Sequence, residues 1–210
     1  MTQTLHIDGP RGTLETVVDE PEGAAGDAPV AVIAHPHPLF GGTLHNKVVF
    51  TLMQAFTACG FAAVRFNFRG VGASAGAFDE GRGEIEDMLA VIEHFAPSPR
   101  RLAVAGFSFG AFVATQAAAR LHRQGREVCA VVLAATAVTR FDAAPTDPAW
   151  RERTLLLHGA QDDVVPLDAV LAWAAPQNLP VTVLPESGHF FHGRLAVLRS
   201  SAERHLRAVV

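Results

Sequence analysis

Positive charge is in short supply in this sequence. Its 210 residues include 17 lysines and arginines against 21 aspartates and glutamates, so the formal net charge is -4 and the pI is about 6.2. A chain with this balance offers no positive field that would collect a nucleic acid or an anionic lipid surface. We therefore expect neither a nucleic-acid partner nor a membrane partner.

Long apolar runs and clustered cysteines are also missing. No stretch of about eighteen apolar residues occurs, so no membrane-spanning helix is predicted. The first residues, MTQTLH, lack the basic and apolar regions of a secretory signal. Cys59 and Cys129 do not form a Cys-x-x-Cys pair, and we expect both to be reduced, buried thiols. These absences predict a cytoplasmic protein. We expect it to be a monomer or a homodimer.

The composition is that of a globular protein, with a hydrophobic fraction of 49% and a charged fraction of 18%. A chain of this length can bury one substantial core and is short for two, so a single domain spanning residues 1–210 is predicted. The sequence contains no repeat, no low-complexity tract and no interior linker. Its loosest segment, Pro21–Pro29, is expected to form a surface loop.

Short apolar runs alternate along the chain with segments of helical periodicity. This alternation predicts an α/β fold, a mainly parallel central sheet with helices on both faces. The central runs are almost continuously apolar, as in strands that are buried on both sides. The helix at 84–95 is expected to bury one apolar face and expose its acids. Strands are predicted at 13–18 (after a turn at 9–12), 30–34, 61–66, 102–105, 128–134, 154–157 and 181–184, and helices at 45–58, 84–95, 109–121, 167–174 and 192–210.

The motif at residues 106–110, GFSFG, lies between a predicted strand and a predicted helix. A serine at such a sharp turn presents its hydroxyl at the carboxyl edge of the sheet, where ligands bind in folds of this kind. The flanking glycines keep side chains out of the crowded turn, and the helix N-terminus favours a developing negative charge. We therefore expect Ser108 to be a nucleophile.

A general base and an orienting acid should follow later strands. His189 lies in a loop after the predicted last strand, and we prefer it to His192 because His192 is predicted to begin the final helix. Asp162 and Asp163 both follow the strand at 154–157, and either carboxylate could accept a hydrogen bond from the imidazole. Their spacing alone does not choose between these two acids.

An oxyanion needs backbone donors beside the nucleophile. The first expected donor is the N–H of Phe109, and the second is the N–H of Leu39 or Phe40, in the loop after the strand at 30–34. His35 and His37 in that loop could be taken for metal ligands, but no third ligand follows at a suitable spacing. We expect them to be hydrogen-bonded scaffolding, with no metal and no cofactor.

Taken in order, five motifs resemble those of the α/β-hydrolase superfamily, and within it the small, lidless, dienelactone-hydrolase-like bacterial members. The resemblance covers nearly the whole chain and implies an α/β-hydrolase fold without a large cap domain. One departure is that dienelactone hydrolases themselves have a cysteine nucleophile where this chain has serine. The motifs lie at residues 35–42 (HPHPLFGG), 67–74 (NFRGVGAS), 106–110 (GFSFG), 158–166 (HGAQDDVVP) and 188–191 (GHFF).

The resemblance also implies roles that spacing leaves open. It assigns the acid to Asp162 rather than Asp163, and it favours Leu39 as the second oxyanion donor. It implies that the loop containing Arg69 is a structural turn near the site, outside the catalytic set. Only the segment 135–153 is long enough to reach over the site.

The expected function is hydrolysis of small-molecule carboxylic esters with short or medium acyl chains, through an acyl-enzyme on Ser108. Several phenylalanines near the motifs, including Phe40 and Phe190, suit an apolar acyl group. A thioesterase or an amidase would use the same residues. A non-catalytic binding protein on this fold is a further alternative, and it would be expected to lack a member of the triad.

Overall fold

A central β-sheet organises the structure, a computed structural model that describes residues 1–23 and 28–210. Of the expected surface loop at 21–29, residues 24–27 lie outside the described residues. The strands are β1 (Thr2–Gly9), β2 (Gly12–Asp19), β3 (Val30–Ala34), β4 (Ala62–Phe66), β5 (Leu102–Phe107), β6 (Ala130–Ala134), β7 (Thr154–Gly159) and β8 (Val181–Leu184).

The eight strands hydrogen-bond in the order β1-β2-β4-β3-β5-β6-β7-β8. Strands β3 to β8 are parallel to one another, whereas β1 and β2 form an antiparallel hairpin, of which β2 also pairs antiparallel with β4. The predicted mainly parallel sheet is therefore confirmed. Because the parallel strands all end at one edge, the loops that follow them converge there.

In the described residues, five α-helices cover the two faces of the sheet: α1 (Lys47–Ala58), α2 (Arg82–Phe95), α3 (Phe109–Arg123), α4 (Leu167–Ala174) and α5 (Leu195–Val209). Apolar residues of α1 and α5 share one hydrophobic core, and those of α2, α3 and α4 share the other. The strands between the two cores carry alternate residues into each. This arrangement buries β3, β5 and β6 completely and confirms the expected α/β architecture.

The elements differ from the predicted ones mainly at their ends. Helix α5 begins at Leu195, because residues 192–194 form a turn and Gly193 has a left-handed φ of 71°. The prediction that His192 begins the final helix is therefore wrong. Cys59 and Cys129 are free, but each is only half-buried rather than buried.

Two acids of α2 point inward, against the expectation that its acidic side chains are exposed. Asp87 is fully buried and accepts hydrogen bonds from the Arg69 guanidinium at 2.9 and 2.7 Å and from the Arg69 backbone N–H at 3.0 Å. Glu84, also fully buried, accepts from the backbone N–H groups of Asp79 and Gly81. The loop that carries Arg69 is thereby fixed to α2, in keeping with the structural role that the resemblance implied.

The connection between β6 and β7 holds no α-helix. It runs as an irregular segment to Asp147 and then as a 3-10 helix, Pro148–Arg153, which buries Trp150. No second domain is seen over the sheet within residues 1–23 and 28–210. In the same described part, no helix is long and apolar enough to cross a membrane.

Candidate active site

Ser108 lies at the junction of β5 and α3, in the turn that the sequence predicted. Its φ of 57° and ψ of -115° fall in a region that residues with a side chain rarely adopt. A Cβ added to Gly106 would lie 2.2 Å from the Gly110 carbonyl oxygen, and one added to Gly110 would lie 2.3 Å from that of Ala34. The two glycines are therefore required by the close approach of backbone segments around the serine.

Three predicted site residues come together at the carboxyl edge of the sheet. His189 Nε2 lies 3.0 Å from Ser108 Oγ, and His189 Nδ1 lies 2.8 Å from Asp162 Oδ2. An ionised carboxylate only accepts hydrogen bonds, so Nδ1 carries the proton that binds Asp162 and Nε2 accepts from the serine hydroxyl. All three side chains are almost completely buried, which strengthens both hydrogen bonds.

The geometry distinguishes the alternatives that spacing left open. Asp162 faces the imidazole, and its Oδ1 accepts from the backbone N–H groups of Val164 at 2.9 Å and Val165 at 2.8 Å. Its neighbour Asp163 is exposed, and so is His192. Burial works to raise the pKa of Asp162, but the hydrogen bonds from His189 and the two N–H groups hold that pKa below its usual value.

A further histidine, His158, is fully buried next to the acid. Its Nε2 is 2.9 Å from the carbonyl oxygen of Val165 and 3.5 Å from Asp162 Oδ2. Burial lowers the pKa of His158, so the ring is neutral and Nε2 donates its proton to Val165. The imidazole thus supports the loop that presents Asp162. The motif at 158–166 contains this residue, but spacing gave no sign of the contact.

The loop at residues 35–42 is tightly folded around two histidines. His35 is fully buried; its Nε2 accepts from the Phe68 N–H at 3.1 Å, and its Nδ1 donates to the Pro36 carbonyl oxygen at 2.6 Å. Burial lowers the pKa of His35 to about 4. Both ring nitrogens therefore have protein partners, which fits the expected scaffolding role. In the described part of the chain, no group of three or more potential metal-binding side chains occurs.

Some backbone N–H groups near Ser108 already donate a hydrogen bond, and others do not. The Leu39 N–H donates to His37 Nδ1 at 3.2 Å, and the Phe40 N–H donates to the His37 carbonyl oxygen at 3.1 Å. Among the described residues, the N–H groups of His37 and Phe109 have no hydrogen-bond acceptor. The expected second donor, Leu39, is thus occupied inside its own turn, and its side chain is 68% exposed.

A shallow cavity of about 50 Å³ opens beside Ser108. Besides Ser108, it is lined by His37, Phe40 and Phe109, by Ala137 and residues 139–141, and by Val164 and Val165. Only the first part of segment 135–153 therefore reaches the site. Two of the phenylalanines near the motifs, Phe107 and Phe191, are core residues, whereas Phe40 and Phe190 are exposed. Of these four, only Phe40 lines the cavity.

Fold and site together define the class of protein, a serine hydrolase on an α/β-hydrolase scaffold. The model of the X-Pro dipeptidyl-peptidase (S15) family matches residues 8–143. The structure of XC6422 from Xanthomonas campestris, an α/β serine hydrolase without a lid, is 37% identical, with a TM-score of 0.86 over 99% of this chain and 94% of the other. This chain belongs to that family of lidless α/β serine hydrolases.

Two further relatives agree. An α/β serine hydrolase homologue from Coxiella burnetii is 38% identical, with a TM-score of 0.81 over 97% of each chain. An uncharacterized protein of Rickettsia prowazekii (strain Madrid E) is 37% identical over 115 residues, which are 53% of this chain and 48% of the other. The chain thus matches about half the length of this curated relative.

Proposed function

We propose that the protein hydrolyses carboxylic esters with short or medium acyl chains, through an acyl-enzyme. The observation that carries this proposal is the continuous line of contacts from Ser108 Oγ to His189 Nε2 and from His189 Nδ1 to Asp162. A serine hydroxyl is a weak nucleophile at neutral pH until an adjacent base accepts its proton. This arrangement supplies that base in the required orientation and tautomer.

In the proposed mechanism, Ser108 Oγ attacks the ester carbonyl carbon while its proton passes to His189 Nε2. The resulting imidazolium is stabilised by the Asp162 carboxylate, which stays ionised because its pKa is held low. His189 then gives the proton to the leaving alkoxide, and an alcohol departs. A water molecule then gives a proton to the same nitrogen and attacks the acyl-enzyme. The bond between the acyl carbon and Ser108 Oγ breaks, His189 returns the proton to Oγ, and the acid product leaves.

The carbonyl oxygen becomes an oxyanion during both attacks and needs two N–H donors. We assign the first to Phe109, whose N–H begins helix α3 and has no acceptor in the described part of the chain. For the second, the geometry favours the N–H of His37 over that of Leu39, because His37 lines the cavity and Leu39 donates to the His37 ring. Each such donor lowers the barrier by roughly 3–4 kcal/mol.

The size of the cavity supports small acyl groups. A pocket that encloses a drug-sized ligand measures about 300–1,000 Å³, whereas the cavity beside Ser108 measures about 50 Å³. Its walls are mostly apolar, with contributions from Phe109, Phe141 and Val165. An acyl chain of a few carbons fits these walls, and a longer one extends into solvent.

An amide or thioester substrate is the second candidate function. The same three residues would serve it, and the family model that matches residues 8–143 describes a peptidase family. The leaving amine of an amide must be protonated before it departs, and His189 Nε2 is positioned for that step as well. The ester is preferred here because a small, open cavity provides few contacts for a peptide.

The test is hydrolysis of p-nitrophenyl acyl esters of increasing length, with a p-nitroanilide and a thioester of the same acyl group for comparison. We expect the highest kcat/KM on short acyl esters. Ser108→Ala should remove activity and leave the melting temperature nearly unchanged. Ser200→Ala, at an exposed position of α5, is the matched control and should retain full activity.

A fluorophosphonate probe separates an enzyme from a non-catalytic binding protein, because only an activated serine reacts with it. Labelling of the wild type and its loss in Ser108→Ala are expected. Absence of both labelling and ester hydrolysis in a folded protein would refute the proposed function. The cytoplasmic location and the monomeric or homodimeric state remain predictions from the sequence.

A further inference from the structure

An arginine without a partner lies at the rim of the cavity that holds Ser108. Arg140 lines this cavity together with Thr139 and Phe141, and its side chain is exposed. In the described part of the chain, no carboxylate lies within 4.0 Å of its guanidinium, and its side chain makes no hydrogen bond. Many other arginines of this chain do pair with acids, so Arg140 keeps its donors available.

The remaining cavity wall carries no negative charge that would neutralise this arginine. Its side chains are apolar or neutral, and no aspartate or glutamate contributes to it. The protein as a whole has a net charge of -4, so the positive charge at this position is opposite in sign to the net charge of the molecule. A cleft whose charges are of one sign attracts ligands of the opposite sign.

The backbone around Arg140 is held in place by its neighbours. The Phe141 ring stacks on Phe112 of α3, with centroids 4.8 Å apart and an interplanar angle of 22°. The carbonyl oxygen of Asp142 accepts from Gln116 at 2.5 Å, and that of Ala143 accepts from Trp173 at 3.1 Å. This segment is therefore anchored to two helices, and the guanidinium starts from a fixed backbone position.

The positive charge of Arg140 affects a side chain of the site, His37. Burial lowers the pKa of His37, and the positive charge of Arg140 lowers it further. The His37 ring in turn contacts Phe109 and Phe141, with centroids 5.1 and 5.9 Å apart, next to Ser108. The guanidinium thus acts on groups that a bound substrate would also contact.

We propose that Arg140 selects esters that carry a carboxylate group a few atoms from the scissile carbonyl. This inference rests on the proposed ester hydrolase function. Because arginine presents planar, paired donors, it suits a carboxylate better than a single neutral acceptor. The carboxylate could belong to the acyl part or to the alcohol part of the ester, and both possibilities share the same contact with Arg140.

Two matched substrate pairs distinguish these sources. Monomethyl adipate and methyl hexanoate have acyl chains of equal length, and only the first carries a carboxylate on the acyl side. The pair of 4-butyryloxybenzoate and phenyl butyrate places the carboxylate on the leaving group. For each pair, kcat and KM are measured by pH-stat titration, and the readout is the ratio of kcat/KM for the anionic ester to that for the neutral ester.

Arg140→Gln should lower this ratio about 5- to 10-fold in one pair, mainly through a higher KM for the anionic ester. Arg140→Lys should restore part of it, because a positive charge returns without the planar donors. Arg101→Gln is the matched control: Arg101 is exposed directly before β5, at the opposite edge of the sheet, and its loss should leave the ratio unchanged. Added salt should reduce the wild-type ratio.

A ratio that is equal in the wild type and in Arg140→Gln for both pairs, with all esters hydrolysed, would overturn the role of Arg140 alone. Failure to hydrolyse any ester, together with no fluorophosphonate labelling of Ser108, would overturn the proposed function and this inference with it. A melting temperature for each variant excludes unfolding as the cause.

Discussion

The buried imidazole of His35 makes the stability of the protein depend on pH. In the folded state its two nitrogens bind Phe68 and Pro36, so the ring accommodates one proton and not two. Its pKa is lowered from 6.5 to about 4. In the unfolded chain the ring is solvated and has its ordinary pKa, so the unfolded state takes up a proton first as the pH falls.

The sign and the size of the pH effect on stability follow from the difference in pKa between the folded and unfolded states. The folded state has its full stability above pH 6.5 and loses it as the pH falls toward 4. At about 1.36 kcal/mol for each pKa unit, the gap corresponds to roughly 3 kcal/mol when the ring is protonated in both states. Between pH 7 and about pH 4.5, His35 should therefore account for roughly 2 kcal/mol of lost unfolding free energy.

The assay is urea denaturation at both pH values for the wild type and for His35→Gln. Glutamine offers one acceptor and one donor group in place of the two ring nitrogens, and it does not titrate. Other groups contribute equally to both proteins, so they cancel in the comparison. We expect the wild type to lose about 2 kcal/mol more than the variant between pH 7 and about pH 4.5.

An equal loss of unfolding free energy in the wild type and in His35→Gln would refute this reasoning. It would mean that the buried ring takes up a second proton without breaking its contacts with the loop at 35–42. Midpoints that change while the slope with urea stays constant would show that the two proteins unfold to the same extent.

Three further substitutions, the last with a control, test the packing and the buried charges at and near the site. Gly110→Ala should lower the unfolding free energy by roughly 3 kcal/mol, measured by urea denaturation, since the new Cβ would lie 2.3 Å from a backbone oxygen of β3. Asp87→Asn should cost about 3–5 kcal/mol in the same assay, because it leaves the Arg69 charge buried without its partner. Asp162→Asn should reduce kcat about 10³- to 10⁴-fold with little change in KM, whereas Asp163→Asn, which is exposed, should match the wild type in steady-state kinetics. A stable Gly110→Ala, an Asp87→Asn protein as stable as the wild type, or an Asp162→Asn enzyme of normal kcat would each contradict the corresponding contact.

The parts of the fold that could be predicted from the sequence are those that local patterns determine. Strands β3 and β8 and helix α4 have the predicted bounds. Strand β1 was not predicted, because most of its residues are exposed and it forms only by pairing with β2. The start of α5 was placed too early, since helical periodicity continues through Gly193 although its φ is left-handed.

For the site, too, local patterns predict some features, whereas others depend on contacts between distant residues. A short motif with a strand before it and a helix after it was enough to locate Ser108, and the order of later loops pointed to His189. The inward position of Asp87 was not predictable, because its partner Arg69 lies 18 residues away and periodicity carries no information on such pairs. Whether the Leu39 N–H is free or already donates a hydrogen bond depends on the rotamer of the His37 ring, which no sequence pattern specifies. Arg140 lies in an irregular segment and belongs to no motif.

The backbone of Ser108 implies a trade between durability and catalysis. A residue with a side chain held at φ 57° and ψ -115° costs the folded state about 1–3 kcal/mol, whereas glycine adopts this region readily. Ser108→Gly should therefore give an inactive protein that is more stable than the wild type by about 1 kcal/mol, after the entropy of the more flexible unfolded chain is subtracted. The protein would then retain its nucleophile at the expense of thermal resistance, and selection for heat tolerance alone would favour its loss.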